Sequence, residues 1–157
     1  MQDEAGGIAQ ALGLAKHFIG NSLMTVLLGD NIFQDSIVPH VHHFSEQRVG
    51  ARIFLKEVPH PSRFGVPVFK NNRIVAIEEK PKEPQSSYAV TGVYMYDPQV
   101  FDIIANLKPS HRKELEISDV NNAYITQGIL EHDVLQGGWT DAGTFESLYQ
   151  ANTLMHS

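Results

Sequence analysis

The sequence contains no cysteine among its 157 residues. This excludes disulfide bridges, cysteine-ligated zinc sites and thiol nucleophiles, and it is compatible with a reducing compartment. No stretch approaches the roughly 18 consecutive apolar residues that a membrane-spanning helix needs, so we expect no membrane segment. Residues 1–5 lack the basic and then apolar pattern of a signal peptide, and we therefore expect a cytoplasmic protein.

Positive charge is also scarce. The chain has 12 Lys and Arg against 18 Asp and Glu, which gives a formal net charge of −6. A chain of that sign has no general attraction for nucleic acids or anionic lipids, so we expect neither as a partner. The phosphate loop Gly-x-x-x-x-Gly-Lys-Ser/Thr, the Gly-x-Ser-x-Gly elbow and His-Glu-x-x-His are absent as well, which leaves serine hydrolysis without local support.

Apolar residues at helical spacing and short β-prone runs alternate along the chain. Residues 23–28 are almost wholly apolar, which predicts a strand buried on both faces. Asn71 and Asn72 tolerate positive φ and predict a hairpin between two β-prone runs. The alternation favours an α/β sandwich with a mixed sheet, and the absence of a linker-like stretch predicts a single domain over residues 1–157. Helices are predicted over 8–19, 35–47, 98–107, 118–127 and 144–155, and strands over 23–28, 51–58, 64–69, 73–79, 88–96 and 129–135. Gly20 is the predicted end of the first helix, Asp35 or Ser36 the predicted cap of the second, and Thr144 the predicted cap of the last.

Two aspartates, Asp30 and Asp141, each lie between a predicted strand and a predicted helix. Ligands of open α/β sheets gather at the carboxyl ends of strands, and carboxylate oxygens are the donors that Mg²⁺ prefers. The pair is therefore a candidate metal site. The alternative is that Asp30 stabilises a turn and Asp141 caps a helix, and the sequence alone does not show that the two side chains converge.

Two basic residues are candidates for holding a phosphate. Lys80 ends a strand, and because Pro81 disfavours the α region for the residue before it, we expect the strand to continue through Lys80 and to present its side chain. The adjacent carboxylate of Glu79 is suited to accept hydrogen bonds from sugar hydroxyls. Arg112 offers a bidentate fork for an anion. The alternative for Lys80 and Glu79 is a charged strand end in solvent.

Three histidines, His40, His42 and His43, lie close together in the sequence. Helical spacing places His40 and His43 on one face. Since no carboxylate or cysteine nearby in the sequence completes a metal site, we interpret all three as surface histidines.

Several motifs occur in the order seen in the sugar nucleotidyltransferases, and the chain resembles this family from Gln2 to about Ala151. The resemblance is greatest to those members that transfer a thymidylyl group to glucose 1-phosphate. It implies a three-layer α/β/α sandwich with a mixed, mainly parallel sheet of the Rossmann-like nucleotide-diphospho-sugar transferase type. The segments that carry the resemblance are 2–11, 28–31, 63–66, 78–81, 88–92, 115–119 and 139–144.

The resemblance implies an activity and a set of site residues. The reaction is a Mg²⁺-dependent in-line displacement that makes dTDP-glucose and pyrophosphate from dTTP and glucose 1-phosphate, within dTDP-sugar and polysaccharide biosynthesis. A homo-oligomer is also implied. The matching positions are Asp30 and Asp141 for the metal, Gln2 and Gly7 for the nucleotide, Gly65, Glu79 and Val90 for the sugar, and Lys80 and Arg112 as the catalytic residues that hold the sugar phosphate.

The sequence departs from the family pattern in four places, one of which is Ala5-Gly6, where Pro-Asp is more usual. The family's Gly-Gly-x-Gly-[Thr/Ser]-Arg-Leu loop is absent, so we expect the chain to be the C-terminal portion of a catalytic domain whose N-terminal strands are missing. The alternative function is then a truncated, inactive fragment that at most binds a sugar nucleotide. Phe64 stands where Tyr is frequent, and Lys113 stands where Gly is usual.

Overall fold

The computed structural model describes residues 6–155, and it shows the alternation of helices and strands that the sequence predicts. None of the helices in this part of the chain is long and apolar enough to cross a membrane. The helices are α1 (Ile8–Gly13), α2 (Lys16–Ile19), α3 (Val38–Gln47), α4 (Val100–Asn106), α5 (Ile117–Gln127) and α6 (Phe145–Met155). The strands are β1 (Met24–Leu27), β2 (Asn31–Phe33), β3 (Ala51–Glu57), β4 (Gly65–Lys70), β5 (Arg73–Glu79), β6 (Tyr88–Tyr96), β7 (Leu130–Val134) and β8 (Trp139–Asp141).

The main sheet has the strand order β1-β6-β3-β7. Strand β6 runs antiparallel to both of its neighbours, whereas β3 and β7 are parallel. Strands β1, β3 and β7 therefore all run in one direction, and only β6 is reversed. This confirms the mixed, mainly parallel sheet that the resemblance implies.

Helices cover both faces of this sheet. Because successive residues of a strand point to opposite faces, β3 contributes Ile53 to one apolar core and Phe54 to the other. Helices α1, α4 and α5 pack on the face of Ile53, whereas α3 packs on the other face through Phe44. The result is the expected three-layer sandwich.

Strand β1 differs from its prediction. Only Met24 is buried in it, and Leu27 is 54% exposed. In the described part of the chain β1 pairs only with β6, so it forms an edge of the sheet. The prediction of a strand buried on both faces is therefore wrong for these residues.

The first helix also differs from its prediction. The chain forms two short helices instead of one over 8–19, because the α-helical hydrogen bonds are interrupted between Gly13 and Lys16. The predicted end at Gly20 is confirmed. Gly20 has φ of 60°, which glycine adopts without strain.

The predicted hairpin is confirmed. Strands β4 and β5 pair antiparallel, and Asn71 and Asn72 form the turn with φ of 50° and 59°. The side chain of Asn122 in α5 accepts a hydrogen bond from the Ile77 amide at 2.7 Å and donates one to its carbonyl at 2.9 Å. Helix α5 therefore fixes the hairpin beside the main sheet.

Strands β2 and β8 form a small antiparallel ribbon that the sequence did not predict. Asn31 pairs with Asp141 in it. The turn before β8 is held by Asp35, whose carboxylate accepts hydrogen bonds from the amides of Gln136 and Gly137 at 2.9 and 2.8 Å. The side chain of Asp35 therefore stabilises this turn.

One of the two predicted helix caps is confirmed. Helix α3 begins at Val38 with Ile37 at its N-cap position and has no side-chain capping hydrogen bond, so the prediction of Asp35 or Ser36 as its cap is wrong. At α6, Thr144 accepts the amide of Ser147 at 3.1 Å, which confirms it as the cap.

Candidate active site

A cavity of about 260 Å³ opens between the β2–β8 ribbon, the β4–β5 hairpin and the start of α5. Its lining brings together most of the residues singled out from the sequence. Gly7 is not in the lining, although its neighbour Ile8 is. Gln2 lies outside the described residues. The predicted residues that line the cavity are Asp30, Gly65, Glu79, Lys80, Val90, Arg112 and Asp141.

The two aspartates converge at the rim of this cavity. The point where a Cβ on Gly143 would lie is 3.6 Å from Oδ2 of Asp30 and 3.9 Å from Oδ2 of Asp141. The Ala142 amide donates to the Asp30 carbonyl at 2.6 Å, which holds the two segments together. Since Thr144 caps α6 and Asp141 belongs to β8, the helix-cap alternative for Asp141 is wrong.

This arrangement fits a divalent cation. Gly143 leaves a space between two carboxylates that a methyl group would fill. No group of three or more His, Cys, Asp or Glu arranged for a metal occurs within residues 6–155. Two carboxylates nevertheless suit Mg²⁺, which keeps several waters and takes its remaining ligands from substrate phosphates.

Asn31 organises this part of the site. Its Oδ1 accepts hydrogen bonds from the Gly92 amide at 2.8 Å and from Nε1 of Trp139 at 2.7 Å. Its Nδ2 donates to Oδ1 of Asp30 at 2.8 Å. Asn31 directly follows Asp30 in the sequence, but the hydrogen bonds of its side-chain amide depend on residues of β6 and β8. The sequence analysis therefore missed this role.

Glu79 and Gly65 lie opposite each other in the hairpin, where they pair across β4 and β5. Ser118, at the start of α5, donates from Oγ to Oε2 of Glu79 at 2.6 Å. A Cβ on Gly65 would approach Oγ of Ser118 to 2.9 Å and Oε2 of Glu79 to 3.6 Å. The absence of a side chain at Gly65 therefore leaves the carboxylate accessible from the cavity.

Arg112 is held by carboxylates. Its Nε and Nη2 donate to Glu116 at 3.0 and 2.8 Å, and Nη2 also contacts Glu114 at 3.2 Å and Glu79 at 3.6 Å. The hydrogen bond to Glu116 raises the pKa of Arg112 above its usual value. Burial acts to raise the pKa of Glu116, but hydrogen bonds from Arg112 and Ser110 outweigh it and the pKa is lowered. Sequence reasoning did not assign a role to Glu116.

Lys80 reaches the cavity by a different backbone path from the one expected. Strand β5 ends at Glu79, and Lys80 has φ of 46°, in the left-handed region. Its amide donates to the Phe64 carbonyl at 3.0 Å. The expected extension of the strand through Lys80 is therefore wrong, because this hydrogen bond and the turn into Pro81 override the usual preference before proline.

Phe64, Trp139 and Arg63 form one wall of the cavity. The Phe64 and Trp139 rings meet edge to face with centroids 5.1 Å apart. The guanidinium of Arg63 lies 5.4 Å from the Phe64 ring centroid and 3.6 Å from Oδ2 of Asp141. Phe64 thus contributes an apolar surface at this position.

The histidine interpretation needs one correction. His42 and His43 are exposed, as expected, but His40 is half-buried. Nδ1 of His40 lies 3.1 Å from Oδ2 of Asp133, and its ring packs against Phe54. The carboxylate comes from β7, too far along the chain for the sequence to indicate it.

A family model described as nucleotidyl transferase matches residues 1–157. The chain belongs to the nucleotidyl transferase family. Curated relatives of this nucleotidyl transferase include proteins named glucose-1-phosphate thymidylyltransferase. One from Neisseria meningitidis serogroup A is 43% identical over 161 residues, which cover 100% of this chain and 56% of the relative. Another from Mycolicibacterium smegmatis is 42% identical over 159 residues, which cover 99% and 55%. The chain thus spans a little over half the length of these relatives.

Solved structures show the same fold. A Bacillus anthracis structure assigned to glucose-1-phosphate thymidylyltransferase, in complex with sucrose, superposes with a TM-score of 0.91 at 57% identity. The match covers 98% of this nucleotidyl transferase and 62% of that chain. A UDP-glucose pyrophosphorylase complexed with UDP-glucose superposes with a TM-score of 0.87 at 22% identity, covers 99% and 64%, and supports the fold alone.

Proposed function

We propose that this nucleotidyl transferase joins dTTP and glucose 1-phosphate to give dTDP-glucose and pyrophosphate, with Mg²⁺ as its cofactor. The observation that carries the proposal is that Asp30, Asp141, Glu79, Lys80 and Arg112 all line one cavity. Two aspartates suited to a metal-bound nucleotide and two cations suited to a sugar phosphate in one cavity match a reaction between these substrates. The names of the relatives from several bacteria support the choice of substrates.

The reaction we propose is a direct displacement. Lys80 and Arg112 hold the phosphate of the sugar so that one of its oxygens attacks the α-phosphorus of dTTP in line, and pyrophosphate leaves. Asp30 and Asp141 would hold the metal ion, which supplies positive charge to the phosphates when bound. The residues act by positioning and charge neutralisation, without a covalent intermediate.

The sugar would lie against the hairpin. Glu79 is placed to accept hydrogen bonds from sugar hydroxyls, and Gly65 leaves the space for them. Val90, which is almost fully buried in β6, forms an apolar floor. The nucleotide base would lie near Gly7 at the start of α1, and Gln2, outside the described residues, is the second proposed contact.

The charge of the cavity supports a requirement for added cations. Three basic side chains, Arg63, Lys80 and Arg112, line it. Acidic side chains outnumber them, and the triphosphate of dTTP and the phosphate of glucose 1-phosphate would add further negative charge. A divalent cation at the two aspartates would reduce this repulsion. The acidic residues in the lining are Asp30, Glu79, Glu114, Glu116 and Asp141.

The wider setting is also proposed. We propose that residues 1–157 form a single domain, the C-terminal portion of a nucleotidyltransferase catalytic domain, supported by the match of the family model along all of it. We further propose a cytoplasmic homo-oligomer in dTDP-sugar and polysaccharide biosynthesis. A relative named low-salt glycan biosynthesis nucleotidyltransferase in Haloferax volcanii, 38% identical over 151 residues covering 95% of this chain and 42% of the relative, supports a role in glycan synthesis.

The test is pyrophosphate release by the purified chain with dTTP, glucose 1-phosphate and Mg²⁺, measured against a blank without sugar phosphate. We expect release that Asp30→Asn reduces by about 10²-fold or more. Asp102→Asn is the matched control, because Asp102 is an exposed carboxylate on α4 that forms an ion pair with Lys16 at 3.4 Å and with no other side chain among residues 6–155. No release from protein shown to be folded by circular dichroism would contradict the proposed activity. Equal rates in the Asp30 variant would contradict the metal site.

A further inference from the structure

We propose that Glu116 is a positioning residue that orients Arg112 towards the phosphate of the sugar substrate. The proposal rests on the proposed function and adds a residue to it. Glu116 makes no direct contribution to substrate binding in this scheme. It acts through the guanidinium that it holds.

The contact between the two side chains is a fork. Nε of Arg112 donates to Oε1 of Glu116 at 3.0 Å, and Nη2 donates to Oε2 at 2.8 Å. Two parallel charge-assisted hydrogen bonds fix the plane of a guanidinium as well as its position. Glu116 is only 6% exposed, so water competes little for these bonds.

Ser110 closes this contact into a ring. Its Oγ donates to Oε1 of Glu116 at 2.6 Å and accepts the backbone amide of Arg112 at 3.1 Å. Both the backbone and the side chain of Arg112 are therefore tied to one buried carboxylate. The arrangement leaves little freedom to the arginine before any ligand arrives.

The fork leaves one edge of the guanidinium for a ligand. Within the described residues, Nη1 of Arg112 makes no hydrogen bond, whereas Nη2 lies near three carboxylates. Arg112 lines the cavity beside Lys80 and Glu79. A phosphate monoester would meet the Nη1 edge, with Glu79 on the sugar side of it.

Glu116 is not explained by helix stability. It occupies the N-cap of α5, where Ser, Thr, Asp and Asn are preferred because their short side chains reach the free amides. The Glu116 side chain makes no capping hydrogen bond. Glu116 stands at a capping position without capping the helix, but it holds Arg112 of the cavity. We therefore attribute its position to the site.

Glu116→Asp separates the two roles. Aspartate keeps the charge and is a good N-cap, but it is one methylene too short for the fork. The lost fork lowers stability and the new N-cap offsets part of that loss, so we expect only a small fall in the melting temperature. The affinity of the full 157-residue chain for glucose 1-phosphate, measured by calorimetry, should fall about tenfold. Glu114→Gln is the matched control. It removes a carboxylate from the same guanidinium without touching the fork, so we expect affinity equal to or above that of the original chain.

A second measurement does not depend on the substrate. The ¹⁵N–¹H signal of Nε of Arg112, assigned with Arg112→Lys, reports whether this proton is held. We expect slow exchange with water in the original chain and in Glu114→Gln, and fast exchange in Glu116→Asp.

The outcomes distinguish the two proposals. Unchanged affinity in Glu116→Asp, or unchanged exchange at Nε, would overturn the positioning role and leave the proposed function intact. Loss of affinity accompanied by an equal loss in the Glu114 variant would also overturn it, because the affinity would then depend on any carboxylate contact to the guanidinium and not on the fork. If the original chain does not bind glucose 1-phosphate at all, the proposed function fails, while faster exchange at Nε in Glu116→Asp would still support the fork.

Discussion

Two lysines beside the cavity have left-handed backbone conformations. Lys80 has φ of 46° and Lys113 has φ of 62°. Residues other than glycine adopt this region at a cost of about 1–2 kcal/mol. The glycine that the resemblance implies at the position of Lys113 would adopt this conformation without a Cβ clash.

Lys113→Gly is expected to stabilise the protein. The relief of the left-handed strain exceeds the extra entropy of glycine in the unfolded chain, and we expect a gain of about 0.5–1 kcal/mol in the free energy of unfolding. Urea denaturation measures it. Lys108→Gly is the control, an exposed lysine whose φ is not positive, and there we expect a small loss. Equal effects at the two positions would contradict the strain argument.

Lys80→Gly and Lys80→Ala separate strain from function at the other lysine. Both variants remove the ammonium group, so we expect both to bind glucose 1-phosphate about tenfold more weakly. Only the glycine variant removes the strain, so it alone should be more stable than the original chain. Calorimetry and urea denaturation on the same samples test both statements. An alanine variant as stable as the glycine variant would be incompatible with them.

At the scale of elements, two glycines at helix ends have different environments. Gly7 precedes α1 with φ of 92°, and a Cβ there would lie 2.5 Å from the Leu115 carbonyl oxygen. Gly128 follows α5 with φ of 73°, and nothing lies within 4 Å of its Cβ position. Gly7 therefore fixes the approach of α1 to the loop before α5, whereas Gly128 only ends a helix.

Gly7→Ala is expected to destabilise the protein by about 2–3 kcal/mol, because backbone strain and a clash with a carbonyl group add together. Gly128→Ala carries the left-handed strain alone, and there we expect a loss of about 1 kcal/mol. Thermal denaturation of the two variants compares them directly. A loss at Gly7 no larger than that at Gly128 would show that the loop moves away freely.

The β2–β8 ribbon supports a prediction about the metal site. Gly143→Ala would place a methyl group between Oδ2 of Asp30 and Oδ2 of Asp141 at ordinary contact distances. Since φ of Gly143 is not positive, the backbone tolerates alanine. We expect little change in stability and at least about tenfold weaker binding of Mn²⁺, measured by electron paramagnetic resonance. Undiminished Mn²⁺ binding would place the metal elsewhere.

Sequence reasoning succeeded where the signal is local. Asn71 and Asn72 mark a turn by their own backbone preference, and Thr144 caps the helix that follows it. The ribbon could not be predicted, because each of its three-residue strands is stabilised by a partner more than a hundred residues away. The same holds for His40, whose carboxylate partner Asp133 comes from another element.

The candidate site was predicted as a set of residues, but not as a geometry. The resemblance placed Asp30, Asp141 and Arg112 in it, and the structure brings these residues to one cavity. Asn31 and Glu116 were not given roles, although each stands inside a quoted motif. Their roles depend on which side chains of other elements face them, and spacing along the chain does not encode that.

At the scale of the whole molecule, the charge of Glu116 makes stability depend on pH. Its pKa is lowered, with burial opposing and the hydrogen bonds from Arg112 and Ser110 prevailing. The folded state therefore binds this proton less readily than the unfolded state. The stabilisation is complete above the ordinary value of 4.5 and is lost as pH falls through the lowered folded pKa.

Glu116→Gln should therefore flatten the acid limb of the stability profile. We expect the free energy of unfolding to fall less steeply between about pH 6 and 3 in this variant than in the original chain. Near pH 7 the variant should be less stable by about 1–3 kcal/mol, because it has lost a charge-assisted hydrogen bond. Urea denaturation across this range measures both effects. Parallel profiles would contradict the assignment, and Glu114→Gln, which keeps the fork, is the control.

The pairing of Asn31 with Asp141 has a consequence for the order of folding. The two aspartates are joined by a long stretch of chain, so bringing them together costs loop-closure entropy and depends on non-local contacts that form slowly. Before the β2–β8 ribbon forms, the carboxylates of Asp30 and Asp141 are not close enough together to bind one metal ion. A divalent ion would thus bind only to the finished fold and would stabilise it by mass action. Metal binding would therefore report that the ribbon, as the last step of folding, has formed.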